Sequence, residues 1–544
     1  MDSSLLALLG AFVLSLIGLF AFIWSLRRGL MVENPAAASV IFARGEIGQV
    51  DDPALPAHEQ LAMQGALVPR QDPVVPADLA ETEDRIAADR SSAFPVFVFL
   101  AFACFWLLVG SVAGLVASLK LHNPDWLTND AWLTFGRIRT VHLNAVIYGW
   151  ATNGSLGIII WLLPRLLRTP LVGAIWTMLG GTLINVGVAA GIGAIAIGWT
   201  DGMEYLEIPW QIGIFIAVGF VMVIATALYT LVNRKVEHLY VSVWYFIAAL
   251  LWIALLYVVA KLPGVHFGVQ QATTNWWFGH NALGLWFTPV AVGAIYYFLP
   301  KIIGRPVRSY NLSLLGFWTL AFFYGQVGGH HLIGGPVPGW LTTLSIVQSV
   351  MMVIPVVAFS VNQFGTMQGQ MHLARYSPTL RFMMLGGLMY LGSSVQGSLE
   401  SLRSINAVTH FTHFTVAHAH LGMYAFVSMV LFGAIYFMLP RVLNWEWPYP
   451  RLISLHFWLV VVGITIYFVG LSIGGWLQGM AMLDAARPFM ESVTLTLPYL
   501  QARSVGGALM TLGHFVFVGH FMAMALRFGP QRAGAALFSQ ASAA

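Results

Sequence analysis

Six histidines of this chain fall on four strongly apolar stretches. His142 lies at the start of one, His280 in a second, the pair His330–His331 at the end of a third, and His418 and His420 near the start of a fourth. An imidazole in hydrocarbon is costly unless it ligates or hydrogen-bonds, so intramembrane histidines are functional suspects by default. Six together point to an intramembrane metal enzyme.

Spacing sharpens this. Residues two apart on a helix point about 200° away from each other, so His418 and His420 face opposite sides. One helix can then ligate two hemes, whereas a pair built for one metal would sit at i and i+4. His142 is the natural opposite ligand to His420 in a six-coordinate low-spin heme, and His418 would hold a second heme with an open axial position. His280, His330 and His331 supply three imidazoles, a set that suits copper, iron or zinc and leaves a coordination position free. Opposite the open heme face, that metal would complete a site able to bind a diatomic molecule end to end. Tyr324, six residues before His330, carries a titratable O–H that could supply an electron and a proton. Taken singly, His142 reads as a satisfied buried histidine, the 330–331 doublet equally as a loop at a helix end or a ligand pair, and Tyr324 as packing. Their company favours ligation.

The elements that must position these residues are membrane helices. The 544 residues are 58% hydrophobic and only 9% charged, which no ordinary soluble domain matches. About thirteen apolar runs, starting near Leu5, Phe94, Val141, Leu171, Gln211, Val241, Ala282, Leu312, Leu341, Phe382, Phe414, Leu452 and Gly506, are each long enough to cross roughly 30 Å of hydrocarbon. Each must satisfy its own backbone in lipid, so they are read as helices: an all-α polytopic membrane protein. Basic residues, among them Arg165, Arg168, Lys301, Arg305, Arg441, Arg451 and Arg527, concentrate in alternate loops, which the positive-inside rule assigns to the cytoplasm. The single cysteine, Cys104, can form no internal disulfide, and no CxxCH motif offers covalent heme attachment. Residues 1–30 read as an uncleaved transmembrane anchor, 31–92 as a mostly irregular Pro- and Ala-rich cytoplasmic linker with a short helix near Leu79–Arg90, 93–530 as a twelve-helix core, and 531–544 as a tail.

The stretches "FGRIRTVHLNAVIYGW", "WWFGHNALGLWFTP", "FYGQVGGHHL" and "HFTHFTVAHAHLGMYAF" resemble subunit I of the heme–copper oxidases, most closely the cbb3-type cytochrome c oxidases. The resemblance implies two b-type hemes and one copper ion: His142 and His420 on the low-spin heme, His418 on the high-spin heme, His280, His330 and His331 on copper, and Tyr324 as the active-site tyrosine. Mitochondrial-type relatives carry that tyrosine four residues after the first copper histidine, and the nitric oxide reductases carry a glutamate there; this chain has Gly284. The implied activity is reduction of dioxygen to water in a bacterial inner membrane, coupled to the family's proton translocation, with electrons from cytochrome c subunits and no nucleic-acid partner. The proton route would use Tyr296, Ser313 and Tyr390, and heme propionates would lie near Arg137, Arg139, Arg403 and Arg503. Gln396 stands where the family usually has a glutamate, which puts proton delivery there in question; Glu400, one turn on, could substitute. The anchor resembles a one-span oxidase maturation protein. Two other readings remain open from sequence: a nitric oxide reductase on the same scaffold, and a non-catalytic heme-handling or transport protein.

Overall fold

The computed structural model describes residues 35–43, 45–68 and 79–531, with positions 20 and 27. The expected anchor at 1–30, apart from those two positions, and the tail beyond Gln531 lie outside the described residues. The described part is helical, with no strand and one isolated bridge between Trp445 and Gln531. Among the described residues, ten helices are long and apolar enough to cross a membrane. At two further expected positions, Tyr310–Phe323 is a short helix that runs into a 3-10 segment, and Pro378–Glu400 is diluted by Ser393, Ser394, Gln396 and Ser398.

Three spans form the inside of the bundle. Phe135–Leu167, Gly268–Ile303 and His413–Leu443 are 94%, 89% and 83% buried over their most apolar windows, against 39–50% for the other seven, which show one face to lipid. All three are built alike. A helical segment bearing the candidate ligands is followed at once by a π-helical stretch: Phe135–Asn144 by Ala145–Ala151, Gly268–Asn281 by Ala282–Phe287, and His413–His420 by Leu421–Ser428. A π segment inserts an extra residue into the helical repeat and re-aims what precedes it, which is why such segments recur at functional sites. Each span then closes on a Leu-Pro-cation sequence, Leu163-Pro164-Arg165, Leu299-Pro300-Lys301 and Leu439-Pro440-Arg441. The three inner helices are a repeat that hydropathy alone does not separate from the outer ones.

The repeat buries its three cations almost completely, although their sequence places them at loop ends. An isolated buried charge costs several kcal/mol unless it is paired. Arg165 meets Asp89 at 2.5 Å, Lys301 meets Glu46 at 2.6 Å and Arg441 pairs with Asp51. All three acids come from the stretch 31–92 read as a mostly irregular linker, Asp89 from its expected short helix and Glu46 and Asp51 from the part before it. That stretch is instead folded onto the bundle end: Gly48 donates to the Gly304 carbonyl and Asp51 to that of Ile302, and Ile41, Phe42 and Met63 are buried. Its short apolar groups and its acids are both satisfied there, which explains why a Pro-rich segment is ordered.

The helix Leu79–Lys120 has 42 residues and runs unbroken through the boundary expected near residue 92. At 1.5 Å per residue it is about 60 Å long, twice the hydrocarbon thickness. Its first turns therefore stand beyond the bilayer, where Arg85 and Asp89 join the buried ion pairs.

Candidate metal centres

The His142 and His420 rings are parallel within 5°, with centroids 6.3 Å apart. His142 Nδ1 lies 2.7 Å from the Gly110 carbonyl and His420 Nδ1 2.9 Å from that of Val416. A carbonyl can only accept, so both Nδ1 atoms carry the proton and each Nε2 keeps a lone pair, the tautomer an axial ligand needs. With metal–nitrogen bonds of about 2 Å, one ion fits between the rings. Tyr467, which the sequence does not mark out, places its hydroxyl 3.2 Å from His420 Nε2.

His418 faces the other side of the same helix, as its spacing predicts. It lines a cavity of about 500 Å³ with His280, Tyr324, His330, His331 and Tyr390, a volume within the range that holds cofactors and ligands. His418 Nδ1 has no hydrogen-bond partner. Glu400 Oε1 stands 3.7 Å from it, beyond hydrogen-bond reach, and is also unpartnered.

His280, His330 and His331 converge from two elements, with ligand atoms all within 4.8 Å of one another. Tyr324–Leu332 is a 3-10 helix. At three residues per turn, positions 324, 327 and 330 share one edge, so the six-residue spacing brings Tyr324 and His330 to the same side. His330 Nδ1 is 3.0 Å from Ser349 Oγ, whose own proton goes to the Ser345 carbonyl at 2.7 Å. Ser349 must therefore accept from His330, which leaves His330 Nε2 free to ligate. His331 stacks on Trp276 at 4.0 Å. Asn281 donates to the Gly325 carbonyl at 3.0 Å and ties the Tyr324 turn to the His280 helix. The Tyr324 ring centre is 5.4 Å from that of His280, and a Cβ built on Gly284 would lie 1.7 Å from Tyr324 Cζ.

The remaining expected residues divide. Arg139 and Arg503 line the cavity; Arg139 pairs with Glu204, while Arg503 Nε is unpartnered. Arg137 turns away to the Ala196 carbonyl at 3.1 Å, and Arg403 donates to Thr343 at 2.9 Å; neither lines it. Tyr390 reaches the cavity, but Tyr296 lines a separate small one with Asn362 and Gln363, and the Phe359 ring packs against both tyrosines, 5.4 Å from Tyr296 and 5.2 Å from Tyr390. Ser313 donates to the Tyr310 carbonyl at 2.5 Å. Gln396 Oε1 is buried and unpartnered. Glu204 and Ser349 also serve the site, and neither residue type nor spacing would have singled them out.

An all-helical membrane bundle in which three inner helices bring four imidazoles, and a 3-10 segment two more, to one interior cavity is the architecture of an intramembrane metalloenzyme. The sequence matches the family described as "Cytochrome C and Quinol oxidase polypeptide I" over residues 95–509, and the chain belongs to that family. It is 32% identical to the cbb3-type cytochrome c oxidase subunit CcoN1 of Stutzerimonas stutzeri, over 77% of this chain and 92% of the relative, and 32% identical to a cytochrome c oxidase subunit 1 homolog of Agrobacterium tumefaciens (strain T37), over 76% and 80%. A nitric oxide reductase chain of Stutzerimonas stutzeri is more distant, at 26% over 78% and 93%. A solved heme–copper terminal oxidase dimer shares the fold with a TM-score of 0.68, covering 81% of this chain and 85% of that one at 15% identity. The chain is a terminal-oxidase catalytic subunit, a multi-pass membrane protein that works in a complex with other subunits.

Proposed function

We propose that this subunit reduces dioxygen to water as a cbb3-type oxidase in a bacterial inner membrane, using two b-type hemes and one copper ion. The donor set fits these groups. His142 and His420 suit the low-spin heme through their opposed lone pairs, His418 the high-spin heme across the interior cavity, and His280, His330 and His331 the copper. Buried imidazole nitrogens without protein partners, His280 Nδ1 and His418 Nδ1, would be costly in hydrocarbon without such partners. When bound, the metals accept electrons from cytochrome c subunits and pass them to dioxygen.

The protein's own contribution is position and protons. Tyr324 holds a transferable phenolic hydrogen beside the copper ligands. Tyr390 brings a second hydroxyl to the cavity from the side of the proton route, whose earlier members are Tyr296 and Ser313, with Gln396 and Glu400 on the same helix as Tyr390. Arg503, whose Nε is unpartnered, stands ready for a propionate carboxylate, which arginine binds through paired donors, and Arg139 would reach one by exchanging its ion pair with Glu204. Burial of the whole site keeps partly reduced oxygen from water.

The observation that carries this reading is the Tyr324 ring in the space beside Gly284. A nitric oxide reductase needs a glutamate side chain there, and the phenol fills that volume. Metal analysis of the purified complex tests it: one copper and two hemes per catalytic subunit are expected, and iron in place of copper overturns it. Carbon monoxide binding to the reduced protein excludes a mere heme carrier, whose hemes would have both axial positions filled.

A further inference from the structure

The hydrogen bonds that set the tautomers of His142 and His420 do not set the planes of their rings. A carbonyl accepts over a broad range of directions, so each imidazole can swivel unless packing prevents it. The two rings nevertheless lie parallel within 5°, although they stand on different helices. Contacts from outside the pair must hold each one.

His142 is held by bare backbone. Gly110, whose carbonyl is 2.7 Å from His142 Nδ1, and Gly114 lie one turn apart on the helix Leu79–Lys120, so they share a face. A Cβ built on Gly114 would lie 2.5 Å from His142 Nδ1, 2.7 Å from Cε1 and 3.2 Å from Cγ. The ring therefore rests on the Gly114 backbone, and any side chain there would have to push it aside.

His420 is held by an aromatic ring. Tyr467 is buried and packs on it with centroids 4.6 Å apart and planes 36° apart. The Tyr467 hydroxyl lies 3.2 Å from His420 Nε2 and 3.5 Å from Nδ1. Near-equal distances to the two nitrogens put it beside the ring and off the Nε2 lone-pair axis, so the place of an axial metal stays clear. Tyr467 is itself fixed from behind. The Arg503 guanidinium carbon stands 5.4 Å from its ring centre, within cation–π range. Its helix, Arg451–Leu483, presses on the start of the His420 helix at Gly475, where a side chain would meet the Phe414 backbone.

We propose that Gly114 and Tyr467 are positioning residues that lock the two axial imidazoles parallel, Gly114 by its missing side chain and Tyr467 by its ring. Contacts behind the ligands are what orient them, and they are one of the levers by which a protein tunes a heme. In a bis-imidazole heme, parallel ligand planes add their effects on the iron d orbitals, whereas crossed planes cancel them. The lock thus sets the direction across the macrocycle along which the electron is exchanged. It rests on reading His142 and His420 as axial ligands of one heme.

Electron paramagnetic resonance of the oxidised, purified complex reads the angle between the planes. Parallel imidazoles give a rhombic low-spin signal, and crossed ones a strongly anisotropic signal with a much larger maximum g value. His420→Ala identifies which signal belongs to this heme. The wild-type signal should be rhombic. Tyr467→Leu, which fills space without a flat ring, should shift it to larger maximum g with heme content unchanged, and Tyr467→Phe should keep the wild-type signal. Gly114→Ala should produce the same kind of shift from the His142 side, and it serves if Tyr467→Leu does not assemble. A residue needed only for packing would lower yield or heme content and leave the angle alone. A crossed-plane signal in the wild type overturns the lock, as does an unshifted signal in both Tyr467→Leu and Gly114→Ala. Those results leave the low-spin heme in place. Its absence from the wild-type complex would instead overturn the ligand reading, and the lock with it.

Discussion

The Tyr324 ring occupies the volume that any side chain at position 284 would need: a Cβ on Gly284 would stand 1.7 Å from Tyr324 Cζ. The two positions lie on different elements, so the tyrosine on one requires the glycine on the other. Gly284→Ala should push the phenol aside, and misplacement by about 1 Å at a reacting group can cost roughly 10²-fold in rate. Oxygen consumption should fall by that order while heme and copper content stay normal. Retained turnover would show that Tyr324 does not act where it stands.

The ligand assignment separates by metal. His420→Ala should remove the low-spin heme signal, and His280→Ala should chiefly remove copper, because the proposal gives the two residues to different metals. Metal analysis with the optical spectrum of the reduced protein reads both. If each variant keeps its full complement, the ligands are misassigned.

Asp51 pairs with the buried Arg441 guanidinium. Breaking a buried pair from one side typically costs about 3–5 kcal/mol. Asp51→Asn should therefore lower the thermal inactivation midpoint of the complex without altering its metal content, whereas an unchanged midpoint would mean that the docked segment 45–68 adds little to stability.

Glu207, in the loop between Ile197 and Trp210, accepts from Asn144 at 3.1 Å. Burial, with Glu204 nearby, raises its carboxyl to about 7. An acid raised above its unfolded value binds more protons folded than unfolded, so stability declines as pH rises through that interval and levels off above it. Thermal stability should fall between about pH 4.5 and 7, and Glu207→Gln should flatten that decline. A slope identical in both proteins would assign it to other groups.

Gln396 cannot carry a proton. If delivery along that helix limits turnover, Gln396→Glu should raise the rate several-fold. Equal rates and equal proton release would place the limit elsewhere.

Much of the site was legible in residue type and spacing. Hydropathy marks membrane helices because lipid forces every backbone group to be paired within its segment. The two-residue separation of His418 and His420 dictates opposite faces whatever the surroundings, since it follows from helical pitch. The doublet at 330–331 fitted a loop as well as a ligand pair, and only the other histidines favoured ligation. What local pattern could not carry was depth and convergence. The three inner helices read like the outer seven because all are apolar; only packing decides which have no lipid-facing side. Glu46 and Asp51 looked like solvated linker acids, and the tertiary structure made them counterions because it buries Lys301 and Arg441 opposite them. Tyr296 and Tyr390 were expected on one route, and the fold sets them in separate cavities with Phe359 packed against both rings. Gly114 and Tyr467 stood out by neither type nor spacing, because no spacing joins positions on different helices. Sequence determines which groups must find partners in a low-dielectric interior. Which partners they find is a property of the folded bundle, where residues hundreds of positions apart come within a few ångströms.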